Sequence, residues 1–501
     1  MALHGCSHAV VIALSAEGRS QRWIAHDPAV KKMRPMKFPS EIETLAMTDE
    51  PIKALLPKPG GHQFVMYGDS CSGVPGALHE RTFAEVNAVV NRLSPYPEFI
   101  LFPGDEIIGL IPDPTALRDQ WKHFFDVEMA WLDRQKTPMW HTTGNHTAYD
   151  RMSEDIFREV LQLPDNGPKD QKGLSYWVRR GDLLMVFVHT LWSGLGGEGH
   201  VETEWLEAVL KQHADAKYKI VLGHHPVFPV NGFSGTYQRE IGHEYAETFW
   251  NILVDAGVFA YLCSHILAYD VQVHHGVLQI CTAGAGTAHR MPEGVEYLHC
   301  IQAALDENGL RYQVLDTGGV VREQLQWPPK SIGTPAEWRR LGVGKSDALF
   351  AGLMGTGHSI ELHVTGRTAL EPWAPEQTLF TAHSPEAIAP IWLGLRGPNQ
   401  TLTLIVGKQP GRSPSYWFGP DLPANHDFDF HVAFYPEMGP GGILYRAHRE
   451  TAWTSLKAAA ATGIESVRWP NSWNVGYGQH GSADRPFKGH GLTVNVCMGS
   501  S

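Results

Sequence analysis

The chain has 501 residues, of which 43% are hydrophobic and 19% are charged, a balance typical of globular proteins. Its length predicts roughly two to four domains. The formal net charge of −12 argues against general affinity for nucleic acids or anionic membranes, because both are polyanions. We therefore expect neither a nucleic-acid partner nor a membrane partner.

Cysteine spacing and hydropathy argue against a disulfide-rich, a membrane-spanning or a secreted protein. The six cysteines lie far apart and form no CxxC pair, so we expect no disulfide framework. No apolar run approaches the roughly 20 residues that span a bilayer. The short apolar stretch from Ala9 to Leu14 is not preceded by Lys or Arg, so we predict no signal peptide and, by default, a cytoplasmic protein. The 27 histidines mildly favour a metalloprotein, with surface histidines as the alternative.

In chain order, residues 1–60 are irregular and rich in proline, which predicts an N-terminal arm. From residue 62 short apolar strands alternate with amphipathic helices, which predicts a layered α/β domain over 61–327. The predicted strands are 62–67, 99–102, 138–143, 182–189, 219–226, 258–265 and pieces near 271–282. The predicted helices lie around 83–93, 114–135, 202–212 and 243–255.

The pattern changes after a predicted linker at 328–339. Apolar residues then alternate with period two, and Gly- and Pro-rich turns separate the segments 359–364, 401–406, 426–435 and 491–496. This pattern is typical of antiparallel strands. We therefore predict an all-β, jelly-roll-like sandwich over 340–501.

Polar residues follow several strands of the α/β domain. The segments are GDSC (68–71), GDE (104–106), GNHT (144–147), GHHP (223–226) and SHIL (264–267). Side chains at the carboxyl ends of buried strands mark the site edge of a layered α/β domain. Carboxylate, carboxamide and imidazole groups together suit Mn, Fe or Zn. Each segment alone is ordinary turn chemistry, but five in order predict a metal site.

These segments resemble the motif blocks of the calcineurin-like metallophosphoesterase superfamily, closest to its purple-acid-phosphatase-like branch, over about residues 62–290. The resemblance implies a layered β-sandwich flanked by helices. It also implies one or two divalent or trivalent metal ions per chain, of Mn, Fe or Zn. The implied activity is hydrolysis of phosphomonoesters or phosphodiesters by attack of metal-bound hydroxide.

The resemblance assigns roles residue by residue. Asp105 would bridge the two metals, and Asp69 would bind the first. Asn145, His224 and His265 would complete the second metal site. His146 would lie beside the phosphate as general acid or charge stabiliser.

The first metal site departs from the family pattern at three positions. Cys71 stands where a His is frequent, Ile108 where some branches have Tyr, and Leu267 where the last block has its second His. Leucine cannot bind a metal, so the site could hold one tight metal, a labile second metal, or a second metal with an unfamiliar ligand. Cys71 could be a soft ligand or a small buried hydrophobic residue.

Four further residues are possible substitutes: His189, at the end of a predicted strand, Glu106, His225 and His275. A lone His or Glu near a site more often supports a ligand or faces solvent than binds a metal. Both interpretations therefore stay open for each of them.

Residues 340–501 resemble concanavalin-A-like or laminin-G-like sandwiches, through the segments 427–446, 468–478 and 485–496. The resemblance implies carbohydrate or protein contact. Trp469, Trp473 and Tyr477 could stack on a sugar or could belong to the sandwich core.

Three functional hypotheses follow. The first is a phosphoester hydrolase acting on a small-molecule or glycosylated substrate. The second is a mononuclear metalloenzyme on the same fold with a non-phosphate substrate. The third is a non-enzymatic binding protein, because fold similarity alone does not assign chemistry.

Overall fold

The fold is seen in a computed structural model. It describes residues 50–194, 199–232, 241, 243–286, 297–329, 338–342, 360–371, 375–383, 391–407, 414–459, 472–480 and 483–498. These residues belong to one compact unit that runs from Asp49 to Ser501. The predicted N-terminal arm lies almost wholly outside the described residues, and so does most of the predicted linker at 328–339.

The first half of the described chain is built on two six-stranded sheets. Its strands are β1 (Ile52–Lys53), β2 (His62–Met66), β3 (Leu93–Ser94), β4 (Phe99–Phe102), β5 (Met139–His141), β6 (Tyr176–Arg180), β7 (Leu183–Phe187), β8 (Tyr218–Leu222), β9 (Ala260–Cys263), β10 (Tyr269–His274), β11 (Val277–Thr282), β12 (His299–Asp306), β13 (Gly309–Asp316) and β14 (Val321–Trp327). One sheet has the order β14-β13-β12-β2-β4-β5 and the other β10-β11-β9-β8-β7-β6. The short strands β1 and β3 pair separately.

Helices cover the outer faces of these sheets. They are α1 (Leu78–Asn91), α2 (Pro114–His123), α3 (Arg151–Leu161), α4 (Thr203–Gln212) and α5 (His243–Asp255), with a π-helical turn at Phe124–Glu128. Apolar residues of both sheets, such as Phe64 and Leu222, share one core, while α1 to α3 and α4 to α5 each complete a core on an outer face. The order of layers is therefore helix, sheet, sheet, helix.

Strand direction brings the motif loops together. Strands β2, β4 and β5 are mutually parallel, and so are β7, β8, β9 and β11. Parallel neighbours end at the same edge of a sheet, so the loops after β2, β4, β5, β8 and β9 meet there. These are the five loops that carry the polar motifs.

The second half of the described chain contains β strands and one 3₁₀ turn at Pro436–Gly442. Its strands are β15 (Arg339–Arg340), β16 (Ile360–Arg367), β17 (Glu376–His383), β18 (Ile391–Arg396), β19 (Thr401–Val406), β20 (Ser415–Asp421), β21 (Asp427–Phe434), β22 (Ile443–Ala447), β23 (Thr454–Ser455), β24 (Lys457–Ala458), β25 (Ser472–Val475), β26 (Gln479–His480), β27 (Ala483–Asp484) and β28 (His490–Met498). Two antiparallel sheets, in the orders β15-β28-β16-β21-β22-β23 and β24-β20-β19-β18-β17-β25, share one apolar core.

The mixed α/β class and the β-rich second half confirm the broad fold prediction. The strands at 99–102 and 401–406 and the helix at 243–255 have the predicted bounds. The prediction that the α/β half ends with strands near 271–282 is wrong, because β12 to β14 complete its first sheet. The α-helix predicted at 114–135 is shorter than expected and ends at His123. A π-helical turn at Phe124–Glu128 follows it directly.

The structure also bears on the predictions for the aromatic residues of the second half, for the cysteines and for membrane-spanning helices. Trp473 is buried and packs on Phe380 in the sandwich core, so it cannot offer its ring to a sugar at the surface. Trp469 lies outside the described residues. The five described cysteines are buried free thiols. No helix among the described residues is long and apolar enough to cross a membrane.

The two halves are joined through buried contacts around Asn231. Its Nδ2 donates hydrogen bonds to the carbonyl oxygens of Pro440 (3.2 Å) and Leu456 (3.1 Å). Its Oδ1 accepts from the backbone N–H of Ala458 at 2.8 Å. One side chain therefore satisfies three backbone groups of the second half that would otherwise be buried without a partner.

We predict that Asn231→Ala lowers the free energy of unfolding by about 2–4 kcal/mol, because three buried backbone groups lose their partner. Urea titration followed by circular dichroism measures the change. Asn399→Ala, at an exposed turn of the second half, is the matched control and should change stability by less than about 0.5 kcal/mol. Equal stability of the two variants would show that Asn231 does not hold the halves together.

Candidate metal centre

Asp69, Asp105 and His265 are motif residues with left-handed backbone conformations, and Cys71 is a fourth, with φ 42°. Asp69, Asp105 and His265 have φ values of 59°, 58° and 66°. Each follows a buried strand within three residues of its end. Left-handed conformations are unfavourable for residues other than glycine and concentrate at functional sites. The backbone therefore turns sharply at these strand ends and presents the three side chains at one edge.

Gly104 allows this turn to pack closely. Its φ is +95°, and a Cβ atom there would lie 2.6 Å from Nδ1 of His224 and 3.1 Å from the carbonyl oxygen of Thr143. A side chain at 104 would thus push against the loops that carry His224 and Asn145. The Gly-Asp order of the motif has a steric cause as well as a chemical one.

Three side chains converge on Nε2 of His224. The Oδ1 of Asn145 lies 3.1 Å from it, the Oδ2 of Asp105 3.2 Å and the Nδ1 of His265 3.2 Å. His224, Asp105 and His265 are buried. The four predicted ligands of the second metal therefore meet at one point.

The proton on His224 decides what this point can hold. Its Nδ1 lies 2.8 Å from the carbonyl oxygen of Pro103, which can only accept, so Nδ1 carries the proton. In the neutral ring Nε2 then has a lone pair, and it faces two further acceptor oxygens. Lone pairs that face one another in a buried site repel, so they require either a second proton on the ring or a cation between them. The residues present therefore fit a metal ion.

The same electrostatics appear in the ionisation of the site. Burial alone would lower the pKa of His224, but the carboxylates of Asp105 and Asp69 raise it to about 9. Burial raises the pKa of Asp69 to about 6, against the opposing effect of His224. Both pKa shifts have the same physical cause: buried carboxylates lying close together favour positive charge beside them.

Asp69 also holds the loop that carries His265. Its Oδ2 accepts the backbone N–H of His265 at 2.9 Å and the hydroxyl of Ser264. Together with Asp105 and His224, Asp69 offers ligand atoms that lie within 4.8 Å of one another. Asp69 can thus bind a metal and position the loop of another ligand.

A second group of ligand atoms also includes Asp105. Ligand atoms of Cys71, Asp105 and His146 also lie within 4.8 Å of one another. The backbone N–H of His146 donates to Oδ1 of Asp105 at 2.9 Å, and its Nδ1–H donates to the carbonyl oxygen of Ile108 at 2.7 Å. His146 is only half-buried, so its ring can reach a ligand from solvent.

The possible substitutes have different positions. His225 lies in the cluster, with ligand atoms of His224, His225 and His265 within 4.8 Å, and its Nδ1 is 2.7 Å from Thr190 Oγ1. His189 is buried, and its Nδ1 contacts Thr143 Oγ1 at 2.7 Å. Burial lowers the pKa of His189 to about 3, so the ring stays neutral.

Two other candidates lie away from the cluster. Glu106 is buried and contacts Nδ1 of His141 at 2.8 Å, which places it beneath the site. His275 lies in the turn between β10 and β11, where its backbone N–H donates to Thr454 of the second half. The suggestion that His275 replaces a missing ligand is therefore wrong, because that turn is at the opposite end of β10 and β11 from the motif loops.

The structure also assigns roles that the motifs did not suggest. Ser264, Thr143 and Thr190 each contact a motif residue or one of its candidate neighbours. Ser264 opens the motif segment SHIL, and its place in that segment was the one visible signal. Thr143 and Thr190 gave none, because their contacts join residues more than 30 positions apart.

Comparison with known proteins finds a family model that matches the part of the chain with the motif loops. Residues 63–269 match the family model of the calcineurin-like phosphoesterases. This match covers the predicted motif region and supports a metal-dependent phosphoester hydrolase as its broad class. No curated protein sequence gives a significant match.

Solved structures similar to this chain include three from different organisms. A purple acid phosphatase from yellow lupin (Lupinus luteus) seeds has 12% identity and a TM-score of 0.41, over 54% of this chain and 55% of that one. A dimetal phosphatase from Danio rerio has 14% identity and a TM-score of 0.40, over 53% and 99%. GAP50, an inner-membrane-complex anchor of Plasmodium, has 16% identity and a TM-score of 0.38, over 54% and 90%. The chain thus spans about half the length of the lupin protein.

We predict that Gly104→Ala weakens metal binding by about 10-fold or more, because the new Cβ displaces His224. Elemental analysis and calorimetric titration with Mn²⁺ and Zn²⁺ measure the effect. Gly397→Ala is the matched control, since Gly397 also has a positive φ (+70°) but no atom within 4 Å of the place that a new methyl group would take. The control should lose about 1 kcal/mol of stability without losing metal. Equal metal affinity in both variants would contradict the steric role of Gly104.

Proposed function

We propose that residues 61–327 hydrolyse phosphomonoesters or phosphodiesters at the edge formed by the five motif loops. The observation that carries this proposal is the convergence of Asp105, Asn145 and His265 on Nε2 of His224. Metal ions bound at this edge would supply positive charge to the phosphoryl oxygens and lower the pKa of water. Mn, Fe and Zn all suit this donor set.

The chain's own residues would divide the remaining work. Asp105 would lie between two metal positions, because one group of ligand atoms includes His224 and the other includes Cys71. His146 would face the phosphoryl group and, with both ring nitrogens protonated, would donate a proton or a hydrogen bond from Nε2 to the leaving oxygen. Its Nδ1–H bond to Ile108 fixes the ring orientation, which leaves Nε2 for the substrate.

The first metal position has an altered ligand set in this proposal. Leu267 is buried and offers no donor where the family pattern has its second His. Asp69, Asp105 and Cys71 would remain as ligands, with a thiolate in place of imidazole. Thiolates prefer softer metals, so Zn²⁺ is the preferred ion at this position.

We predict that Asn145→Ala lowers kcat/KM for 4-nitrophenyl phosphate or bis(4-nitrophenyl) phosphate by about 100-fold or more, because one ligand of the second metal is lost. Release of 4-nitrophenolate measures turnover, and elemental analysis of the same samples measures metal per chain. Asn399→Ala is the control and should keep both values. A variant with unchanged turnover would end the catalytic interpretation of this cluster.

We predict that Cys71→Ala abolishes thiolate-to-metal charge-transfer absorption in the Co²⁺-loaded chain, because the proposed thiolate ligand is removed. Near-ultraviolet spectroscopy measures the band. Cys300→Ala is the matched control, since Cys300 is also buried but lies in the core behind the first sheet. A band that persists in Cys71→Ala would show that Cys71 is a small hydrophobic residue.

A mononuclear enzyme with a non-phosphate substrate is the second candidate, and Leu267 is the observation that favours it. A single metal ion at His224 would leave only one of the two ions that bind a phosphoryl group in a two-metal site. Inhibition by orthophosphate separates the candidates, because a two-metal site binds phosphate between its ions. Inhibition supports the phosphoesterase, and its absence in an active preparation supports the alternative.

A further inference from the structure

A second group of histidines lies in the β-rich half. His363 is on β16, while Asp429 and His431 are on β21, at alternate positions to the core residues Val364 and Phe430. Successive side chains of a strand point to opposite faces, so the two histidines and Asp429 share the outer face of the sheet. His363 is directly opposite His431 in the antiparallel register.

His448 joins this group through the turn after β22. Its backbone N–H donates to the carbonyl oxygen of Asp429 at 3.0 Å, which brings its ring over the outer face. The rings of His363 and His431 stack at 4.4 Å, and those of His363 and His448 at 4.7 Å. Three imidazoles and one carboxylate thus come from segments up to 85 residues apart.

The ring nitrogens of the three histidines are close enough to share one ion, and Asp429 adds an oxygen beside two of them. The three histidines have ring nitrogens within 4.8 Å of one another. His431 Nε2 lies 2.9 Å from His448 Nδ1, and Oδ1 of Asp429 lies 2.7 Å from His363 Nε2 and 3.6 Å from His448 Nδ1. Ligand atoms of a tetrahedral Zn²⁺ site are about 3.3 Å apart, given bond lengths of about 2.0–2.1 Å. The observed separations bracket this value.

The rings must turn slightly to bind an ion. They lie nearly parallel, at 6° to 14°, whereas ligand rings point their nitrogens at one centre. His448 is 49% exposed and Asp429 48%, so both can move without disturbing the core. His431 and His363 are more enclosed and form the fixed side of the group.

A second carboxylate supports the fixed side. Oε1 of Glu361 lies 2.6 Å from Nδ1 of His431, and Arg446 holds the same oxygen at 3.0 Å. A carboxylate behind an imidazole favours the proton on that nitrogen and leaves the other nitrogen for a metal. Burial lowers the pKa of His431, although Glu361 opposes the shift.

Trp338 limits water around the group. Its ring lies edge-on to His363 at 6.0 Å and to His431 at 5.7 Å. An apolar ring beside the imidazoles lowers the local dielectric and strengthens their interaction with a cation. The open side is therefore the side of His448.

We propose that His363, His431, His448 and Asp429 form a second metal site for a borderline divalent cation, with Zn²⁺ as the preferred ion. Three imidazoles and a carboxylate suit Zn²⁺, Ni²⁺ and Cu²⁺ better than Mg²⁺ or Ca²⁺. Four protein ligands close the coordination shell, so the site is structural. It ties β16, β21 and the turn after β22 together and shares no residue with the first centre.

Calorimetric titration of the full chain with Zn²⁺ tests this site in an Asp105→Ala/Cys71→Ala background, which removes ligands of both metal positions of the first centre. The expected result is one ion per chain with a Kd below about 1 µM. His448→Ala in this background should weaken binding by about 100-fold. His426→Ala, an exposed histidine of the same half, should leave it unchanged.

Absence of binding in the background protein, or equal affinity in His448→Ala, would overturn the proposal. Should the background protein fail to fold, Co²⁺ absorption of the otherwise unchanged chain replaces the titration. Loss of part of the visible absorption in His448→Ala, with none lost in His426→Ala, supports the site, and unchanged absorption in both refutes it. Phosphoesterase activity does not enter either readout, so failure of the proposed function leaves this test intact.

Discussion

The buried hydrogen bond from His224 to the carbonyl oxygen of Pro103 governs the motif edge of the first half. It places the proton of the ring on Nδ1 and directs the lone pair of Nε2 toward oxygens of Asn145 and Asp105. A buried point surrounded by acceptors is stable only with positive charge in it. A second proton on His224 supplies this charge in the metal-free site, and the same acceptors suit a metal ion in its place.

The scaffold makes this arrangement possible by combining rigid strands with strained ends. The strands before Asp69, Asp105 and His265 are buried among apolar side chains, which fixes where each chain emerges. The left-handed conformations of these three residues have an energetic cost of about 1 kcal/mol or more each, which the packed sheets offset. Gly104 allows the neighbouring loops to approach closely. Function at this edge therefore depends on packing throughout the two sheets.

The β-rich half is part of the same unit. Its apolar residues Ala433, Tyr435 and Leu444 extend the core that lies between the two sheets of the first half, and Asn231 satisfies its backbone at the contact. The outer face of one of its sheets thus has two parts with different surroundings. One part packs on the first half, and the part around His431 gathers imidazoles with a supporting carboxylate.

The sequence by itself determined the layered class, the five motif loops and the principal candidate ligand residues, because strand periodicity and strand-end polarity are local patterns. Only the tertiary structure decided which residues from distant parts of the chain lie next to the motif residues. Ser264 with Asp69, and Cys71 with His146, are contacts between segments far apart in the chain, and local patterns contain no information on such pairs. Strands β12 to β14 were missed in the same way, since they follow the motif region and complete a sheet begun by β2. The register of β16 on β21, which places His363 opposite His431, is likewise set by packing of the whole sandwich.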